Sequence, residues 1–454
     1  MKNNLIKGER KNIKDILRRI IKRDFSGNTG LVIKNSLYQF STNLVTKIGS
    51  LIFMIVLARV LMPELFGLYS LALSTILIFV AFSELGIGHT LIRFVSKEFG
   101  KNKKRKNAKS YVVYLAKIKL FLTFVSILIL IIFARFISDN YYQKPIFLAL
   151  IAGLLFILFV GITGFLQAIL MASSNFREIF YREIVFQIIR LTIIPLLILF
   201  SLRQFFSNEF LLFFIILFLS FSYLISSIFL LFFSKNKLKY LTEKKKEISF
   251  LEKKKVNKFI LPISATVVTA AFFGYIDMIM LGRFVLSEYI AYYRVALIFA
   301  LTLIPLITFS TVLLPIFSKL KNKQLERGFK KSISITLLFS SVLALFVFLL
   351  SPFIINFIYG KDYANSINIL RFFSLLLISI PLTSIYESYF TAKGKPIIIA
   401  KLLIISVIIN IILNFLAIFF LISYANLSVV YGVAGATIIS RYFYMFGLIL
   451  MKNK

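Results

Sequence analysis

Ionisable side chains inside long apolar segments are the residues of this sequence best suited to chemistry. The cations among them are Lys47, Arg59, Arg190, Arg294, Arg371 and Arg441. The carboxylates are Glu84 and Asp277. A charge at the centre of a bilayer costs roughly 2.5–3.5 kcal/mol on insertion scales, so each of these residues is a candidate for function. Because the arginine guanidinium donates paired hydrogen bonds to phosphate, the set predicts a binding site for an anionic headgroup.

Depth within the apolar segments separates the cations into two groups. The deeper ones, which we expect to line a cationic cavity for a phosphate and sugar headgroup, are Lys47, Arg190, Arg294 and Arg441. Arg59 and Arg283 lie near predicted helix ends. There they either extend to the interface or pair with Glu64 and Glu288. Arg371 is close enough to a helix end to reach the outer interface as well.

The two carboxylates and two prolines suggest further roles. Asp277 either pairs with one of the arginines or takes part in ion coupling. Glu84 precedes Gly88 by one helical turn, and we interpret it as a helix-end hydrogen-bond acceptor or a proton relay. Pro262 and Pro305 flank the region from Asp277 to Arg294 and are predicted hinges, because proline removes a backbone hydrogen bond.

Metal and thiol chemistry are not expected. The sequence has no cysteine and a single histidine, His89. Structural and catalytic zinc sites are built from several such ligands. We therefore predict no metal site, no cofactor and no catalytic residues.

Apolar segments of about twenty residues hold these charges, and each is long enough to cross a bilayer core of about 30 Å. The chain has 454 residues, of which 59% are hydrophobic and 16% charged, whereas about 25% are charged in soluble proteins. Its mean hydropathy is +0.90. We predict an all-α integral membrane protein with about twelve transmembrane helices and no soluble domain. The predicted spans are 37–61, 66–92, 111–136, 145–171, 180–201, 209–233, 257–281, 289–318, 330–358, 364–391, 397–422 and 430–450.

Lysine and arginine gather in alternate connections between these spans. Residues 93–109, 235–258, 319–331 and 393–401 are rich in them, and the other connections hold few. The positive-inside rule then places the chain in the cytoplasmic membrane with both termini in the cytoplasm. These loops account for most of the net charge of +36 and meet anionic lipid headgroups, so nucleic acid is not an expected partner. Residues 1–35 form either an amphipathic surface helix or a disordered basic tail.

An internal repeat divides the chain into two halves. Residues 57–73 align without gaps on residues 281–297. Six positions match: Leu57/Leu281, Arg59/Arg283, Glu64/Glu288, Tyr69/Tyr293, Ala72/Ala296 and Leu73/Leu297. With six spans each, the halves share one orientation, as in transporters that rock two bundles around a central site. The predicted domains are the tail 1–35, a six-helix bundle 36–233, a basic linker 234–256 and a second bundle 257–454.

Short motifs in a fixed order carry a family resemblance. They are residues 58–69, 84–88, 93–95, 277–282, 293–296, 314–315, 358–364, 392–396 and 431–435, with Asn410 and Asn414. In these the chain resembles the polysaccharide-transport (O-antigen-type flippase) family of the multidrug/oligosaccharidyl-lipid/polysaccharide exporter superfamily. The resemblance implies two MATE-like parallel six-helix bundles around a central cavity. It also implies flipping of a polyprenyl-linked oligosaccharide, with membrane lipids and polysaccharide assembly proteins as further partners.

Other functions are weighed against this one. A MATE-type multidrug or organic-cation exporter of the same fold would need an acidic cavity, but the charges within the spans are mostly cationic. A polysaccharide polymerase or glycosyltransferase usually needs a large outer loop or an acidic metal-binding motif, and the sequence has no Asp-x-Asp pair. A channel would need a repeated filter-like loop. The sequence therefore favours a transporter without enzymatic activity.

Overall fold

The computed structural model describes residues 27–100, 107–203, 207–242, 248–308, 317 and 322–453, and in this part of the chain the structure is all-α. The helices of the first half are α1 (Gly27–Glu84), α2 (Ile87–Gly100), α3 (Ala108–Arg135), α4 (Phe147–Ala172), α5 (Phe176–Arg203) and α6 (Asn208–Ser234). Those of the second half are α7 (Phe250–Phe284), α8 (Ser287–Ile307), α9 (Asn322–Ile358), α10 (Ser366–Phe373), α11 (Leu376–Ala392), α12 (Pro396–Leu421) and α13 (Asn426–Asn453). A π-helical turn, Phe136–Tyr142, extends α3.

Helix α1 contains two membrane crossings joined at a kink. Met62 has φ 58° and ψ 170°, outside the helical region, and the following Pro63 has no amide hydrogen to donate. The apolar stretch Ile33–Phe99 covers 67 residues, or roughly 100 Å of helix, which is far longer than a bilayer core of about 30 Å. The two predicted spans 37–61 and 66–92 therefore lie on either side of this bend.

The second predicted span ends earlier than expected. Leu85 and Gly86 have positive φ angles of 36° and 71°, so α1 stops at Glu84 and α2 starts at Ile87. The Glu84 side chain accepts a hydrogen bond from the backbone N–H of Gly88 at 2.8 Å. That bond satisfies one of the free N–H groups at the start of α2. In the same way, the predicted span 364–391 is divided between α10 and α11.

Eleven helices in the described residues are long and apolar enough to cross a membrane. Since the first of them contains both crossings of α1, this number agrees with the prediction of about twelve spans. The chain is thus a multi-pass membrane protein. Residues 1–26 of the predicted tail and residues 243–247 of the predicted linker lie outside the described residues.

Helices pack against one another within each half as well as between the halves. In the first half, α6 packs against both α4 and α5. In the second half α12 lies against α13, and α9 lies against α10 and α11. The kinked α1 packs on both α5 and α8, so it forms the main seam between the halves.

Helix α7 is shared between the halves. Near its start, Tyr111 of α3 donates to Glu252 at 3.3 Å and Tyr114 donates to Asn257 at 2.9 Å. Further on, Ser264 donates to the backbone carbonyl of Leu85 at 2.8 Å. The later part of α7 packs on α12 of the second half. A rocking of the halves must therefore bend α7 or break one of these two sets of contacts.

The two predicted hinge prolines occupy different positions. Pro262 lies inside α7, which continues through it to Phe284. It stands just before Ser264, which donates to the Leu85 carbonyl of the first half. Pro305 lies near the end of α8, which ends at Ile307 although the predicted span ran to residue 318. Residues 309–316 and 318–321 lie outside the described residues, and hinge motion at either proline stays a prediction.

Candidate functional site

A row of polar side chains on α5 forms the first part of the site. Glu183, Gln187 and Arg190 are four and three residues apart, which places them on one face of the helix. Arg182 donates to Glu183 at 2.9 Å, and Gln187 donates to Glu183 at 2.7 Å. The Arg190 guanidinium donates to Gln187 Oε1 at 2.6 Å. Glu183 thus neutralises Arg182, and Arg190 forms no ion pair of its own within the described residues.

Helix α1 meets this row on the seam between the halves. Arg190 also donates to Ser50 Oγ at 3.2 Å, and its guanidinium carbon lies 4.6 Å from the centre of the Phe53 ring. Such a cation–π contact stabilises the charge only partly. Lys47 lies one turn before Ser50 on the same face and is exposed. Lys47 is thus about one helical turn from Ser50, the residue on α1 to which Arg190 donates.

Arg294 of α8 brings a cation to the seam from the second half. Its Nε atom is buried and has no hydrogen-bond partner, and within the described residues its guanidinium forms no ion pair. Tyr275 of α7 and Tyr69 of α1 are its electrostatic neighbours. Tyr69 interacts in the same way with Arg190. Tyr69 is therefore within electrostatic range of an arginine from each half.

Arg441 of α13 occupies the second half of the site. Its guanidinium carbon lies 3.6 Å from the centre of the Phe273 ring on α7. Asp277 and Glu387 are the nearest carboxylates that act on its charge. Glu387 accepts a hydrogen bond from Tyr444 at 2.7 Å. Arg441 is thus partly balanced, whereas Arg294 is not.

Asp277 is buried in a network of neutral donors rather than in an ion pair. Its carboxylate accepts from Tyr293 at 2.6 Å, from Thr437 at 2.7 Å and from Asn414 Nδ2 at 2.6 Å. Asn414 Nδ2 also lies 3.4 Å from Asn410 Oδ1. The Asn414 Oδ1 atom is buried without a partner. The predicted pairing of Asp277 with an arginine is absent among the described residues, and the oxygen-rich cluster suits a small cation or a proton.

Comparison with known protein families shows where this chain belongs. A family model described as "Polysaccharide biosynthesis protein" matches residues 32–321, which is more than half of the chain. The chain belongs to the polysaccharide biosynthesis protein family. No curated protein sequence matches it significantly.

Solved structures show the fold of this family member. The lipid II flippase MurJ in an inward closed conformation matches with a TM-score of 0.69 and 20% identity, over 93% of this chain and 88% of that one. An inward-facing MATE-family multidrug resistance transporter of the MOP superfamily matches with a TM-score of 0.68 and 14% identity, over 90% and 95%. A MOP-superfamily transporter from Pyrococcus furiosus matches with a TM-score of 0.59 and 13% identity, over 94% and 96%. The predicted MATE-like, two-bundle fold is confirmed.

Arg59 does not reach the seam site. It lies just before the kink in α1, and its Nε donates to the backbone carbonyl of Ile358 at 2.7 Å. It also donates to the carbonyl of Phe357. These carbonyls end α9 in the other half and lie at the negative end of that helix. Of the two alternatives for Arg59, the structure shows neither a pair with Glu64 nor a free interfacial side chain: the guanidinium binds helix-end carbonyls.

Arg283 makes the equivalent contact in the opposite direction. It donates to the backbone carbonyls of Tyr141 at 2.7 Å and Asn140 at 3.1 Å, at the end of the α3 extension. Neighbouring backbone positions repeat the exchange. Tyr363 donates to the Ala58 carbonyl at 2.8 Å, and Lys144 donates to the Gly282 carbonyl at 2.8 Å. Because residues 58 and 59 align with residues 282 and 283, we call the six hydrogen bonds donated by these four side chains the reciprocal latch.

Glu84 lies apart from the seam site in an ion pair. Lys119 Nζ lies 2.8 Å from Glu84 Oε2 and also donates to the Ser83 carbonyl at 3.0 Å. With the bond from Gly88, the carboxylate is fully engaged at the start of α2. This arrangement corresponds to the helix-end interpretation of Glu84.

Arg371 also lies away from the other predicted cations. It lines a separate groove on the outside of the second half, bounded by α9, α10 and α13. Its Nη1 donates to Asn368 Oδ1 at 3.1 Å. Of the six predicted substrate-binding residues, Arg59 and Arg371 therefore lie apart from Arg190 and Arg294, and substrate binding by the set stays a prediction.

Sequence reasoning missed several members of the site. Arg182, Glu183 and Glu387 are charged residues inside spans. Tyr444 is the buried donor to Glu387, and Tyr293 is a buried donor to Asp277. The spacing of Glu183, Gln187 and Arg190 along one helix face was a usable signal. The partners from other helices gave none, because their sequence separation hides the contact.

Proposed function

We propose that this protein flips a polyprenyl-linked oligosaccharide from the cytoplasmic to the outer leaflet by alternating access of its two halves. The single observation that carries the proposal is the set of cations along the seam. Lys47 and Arg190 come from the first half, and Arg294 and Arg441 come from the second. A pyrophosphate headgroup between the halves would be held by both. The polysaccharide biosynthesis family supplies the class of cargo.

Electrostatic reasoning supports a phosphate as the recognised group. Arg294 has an unpartnered Nε, and Arg190 is satisfied only by an amide and a hydroxyl oxygen. Charge-assisted hydrogen bonds from guanidinium to phosphate are about twice as strong as neutral ones. A phosphate that entered the seam would therefore satisfy donors that the protein leaves weakly paired.

The alternative of an organic-cation exporter agrees less well with the contacts. A cationic drug would need a free carboxylate on the seam. Glu183 is already paired with Arg182, and Asp277 already accepts three hydrogen bonds. Because neither carboxylate is free, an incoming organic cation would encounter the positive charges of Arg190 and Arg294 without a compensating anion. The MATE-like fold alone does not decide between these cargoes.

Asp277 is the residue that we propose for ion coupling. It is 5% exposed, its donors are neutral, and Asn414 Oδ1 beside it is free to bind a cation. Arg441 lies close enough to feel the charge of Asp277. Neutralising the carboxylate would therefore change the attraction between α7 and α13, which links ion binding to the site that holds the headgroup.

Orientation completes the proposal. The lysine-rich connections, among them the segment that starts at Lys235, face the cytoplasm, and the reciprocal latch lies at the outer end. The protein would then act in the cytoplasmic membrane beside the polysaccharide assembly proteins that use the flipped product. No enzymatic step is part of this scheme.

The proposal is tested by flipping in reconstituted vesicles. A fluorescent polyprenyl-pyrophosphoryl oligosaccharide is added, and the fraction that becomes accessible to a quencher on the other leaflet is followed with time. We expect the double variant Arg190→Gln, Arg294→Gln to slow flipping at least about tenfold, which corresponds to roughly 1.4 kcal/mol. In cells that lack the wild-type protein, the same variant should leave lipid-linked glycan on the inner leaflet.

The matched control is Arg135→Gln, because Arg135 ends α3 with 83% of its side chain exposed and pairs only with Asp139. It removes a membrane-end arginine without touching the seam. Flipping by the double variant at the rate of the control would refute the role of the seam cations. Efflux of an organic cation with no movement of the lipid-linked sugar would favour the exporter instead.

A further inference from the structure

The groove that contains Arg371 is distinct from the seam site. It encloses a volume of about 470 Å³ and is lined by Phe348, Asn368, Arg371, Phe372, Leu375 and Tyr431. Those residues belong to α9, α10, α13 and the turn between α10 and α11. None comes from α1, α7 or α8, the helices that contribute to the seam. The groove therefore opens on the outer surface of the second half and not between the halves.

Arg371 gives this groove an unbalanced charge. Its Nε is buried without a hydrogen-bond partner, and its only hydrogen bond to another side chain in the described structure goes to Asn368 Oδ1 at 3.1 Å. The Phe348 ring centre lies 5.7 Å from its guanidinium carbon. No ion pair within the described residues compensates the charge. An unpaired cation near the membrane surface attracts anionic lipid headgroups.

Two further donors lie beside the guanidinium. Asn368 Nδ2 lies 3.4 Å from Tyr431 Oη, and both groups line the groove next to Arg371. The amide and the phenol can each donate to an oxygen of an incoming ligand. Together with the guanidinium they form a polar end that suits a phosphate.

The remainder of the groove is apolar and runs deeper into the bilayer. Arg371 is five residues from the start of α10 at Ser366, or roughly 8 Å along the axis. Phe348 is ten residues from the end of α9 at Ile358, or roughly 15 Å. Phe372 and Leu375 are 43% and 41% exposed. The polar end is thus at headgroup depth, and the apolar part lies at the depth of lipid chains.

We infer that this groove binds one anionic phospholipid of the outer leaflet, with its phosphate on Arg371 and an acyl chain along Phe348 and Phe372. The occupant is a phospholipid because the groove opens sideways to the bilayer, where such lipids are in large excess, and because its volume accommodates about one acyl chain. This inference does not depend on which cargo crosses the seam. It does use the orientation predicted by the charge of the connections.

A single tryptophan reports occupancy, because the natural chain contains none. Leu375→Trp places the reporter in the groove. Ile132→Trp, at a position 63% exposed on α3, places the control at a comparable depth elsewhere on the lipid-facing surface. Each variant is reconstituted in phosphatidylcholine vesicles that contain a small fraction of a lipid with brominated chains. This lipid is either brominated phosphatidylglycerol or brominated phosphatidylcholine. The bromine atoms quench tryptophan fluorescence on contact.

We expect brominated phosphatidylglycerol to quench Leu375→Trp at a mole fraction about tenfold lower than brominated phosphatidylcholine. Adding Arg371→Gln should remove that difference, while Arg371→Lys should keep part of it. Ile132→Trp should be quenched equally by the two lipids. Thermal unfolding of each variant shows whether the groove itself is intact.

Equal quenching of Leu375→Trp by the two lipids would overturn the inference, and so would an unchanged preference after Arg371→Gln. If unlabelled polyprenyl phosphate relieved the quenching at a mole fraction at which phosphatidylglycerol did not, the occupant would be the carrier lipid. That result would also overturn the assignment to a phospholipid. Flipping activity is not measured in any arm, so failure here leaves the proposed function untouched.

Discussion

At the scale of single residues, the charges inside the membrane spans fall into those with an ionic partner and those without one. Glu183 and Glu84 are paired with Arg182 and Lys119. The seam cation Arg294 is left without an ionic partner in the described structure. Because an unpaired charge in a bilayer is costly, this cation is the one for which the proposed function expects an anionic ligand.

Asp277 gives a prediction at this scale. Asp277→Asn keeps the size of the side chain and can still accept from Tyr293 and Thr437, so we expect a folded protein. It removes the charge that attracts a cation and acts on Arg441. Flipping driven by an imposed sodium or proton gradient should therefore lose its gradient dependence. The measurement is the initial flipping rate in vesicles with and without each gradient.

Thr437→Val provides the control for this experiment, since it removes one donor to Asp277 and keeps the carboxylate. It should weaken the gradient dependence without abolishing it. An Asp277→Asn variant that still responded fully to both gradients would contradict coupling at this residue.

At the scale of elements, the repeat explains the end of the molecule that holds the reciprocal latch. Arg59 and Arg283 are equivalent in sequence, and each holds a helix end of the other half. The C-terminal end of a helix carries partial negative charge, so each contact is favourable. The kink at Met62 corresponds to the extended Leu286 between α7 and α8. The same connection is thus built once as a bent helix and once as a short turn.

The reciprocal latch yields the second prediction. Arg59→Ala together with Arg283→Ala should make the outer end open more often, because each substitution removes two hydrogen bonds to helix-end carbonyls. The natural chain has no cysteine, so a single Ser70→Cys in the buried second part of α1 reports opening. We expect an impermeant maleimide added outside to label Ser70→Cys several-fold faster in the double variant. The rate of labelling is the measurement.

Single substitutions supply the comparison for the latch. Since the two arginines are far apart in the sequence and bind different helices, their effects on the opening free energy should add to within about 0.5 kcal/mol. Labelling of the double variant at the wild-type rate would show that the latch does not hold the outer end closed.

At the scale of the whole molecule, orientation is the main quantity that the charge pattern predicts. Lys237 lies in the turn after α6, within the basic linker, and Lys361 lies after α9 next to the latch. In spheroplasts, Lys361→Cys should react with an impermeant maleimide, and Lys237→Cys should react only after lysis. Both side chains are exposed, so a difference in labelling reports the side of the membrane. The reverse pattern would place the latch in the cytoplasm and invert the proposed direction of transport.

Much of this architecture was predictable from the sequence, because a bilayer leaves few choices. Apolar length determined the number of crossings, and the lysine-rich connections predicted their direction. The alignment of residues 57–73 with 281–297 indicated the two halves and marked Arg59 and Arg283 as equivalent. Lys47, Arg190, Arg294 and Arg441 were recognisable as candidates because each lies deep within a predicted apolar span.

Only the tertiary structure decided how those charges are used. It placed Arg59 on the end of α9, moved Arg371 to a groove outside the seam, and surrounded Asp277 with Tyr293, Thr437 and Asn414. Each of these contacts joins residues that are far apart in the chain, apart from the nearer pair Asp277 and Tyr293. Hydropathy and helical spacing describe one helix at a time. Which helix faces which depends on packing between helices, and that packing decides which groups surround a charge, such as the helix-end carbonyls at Arg59 and the neutral donors at Asp277.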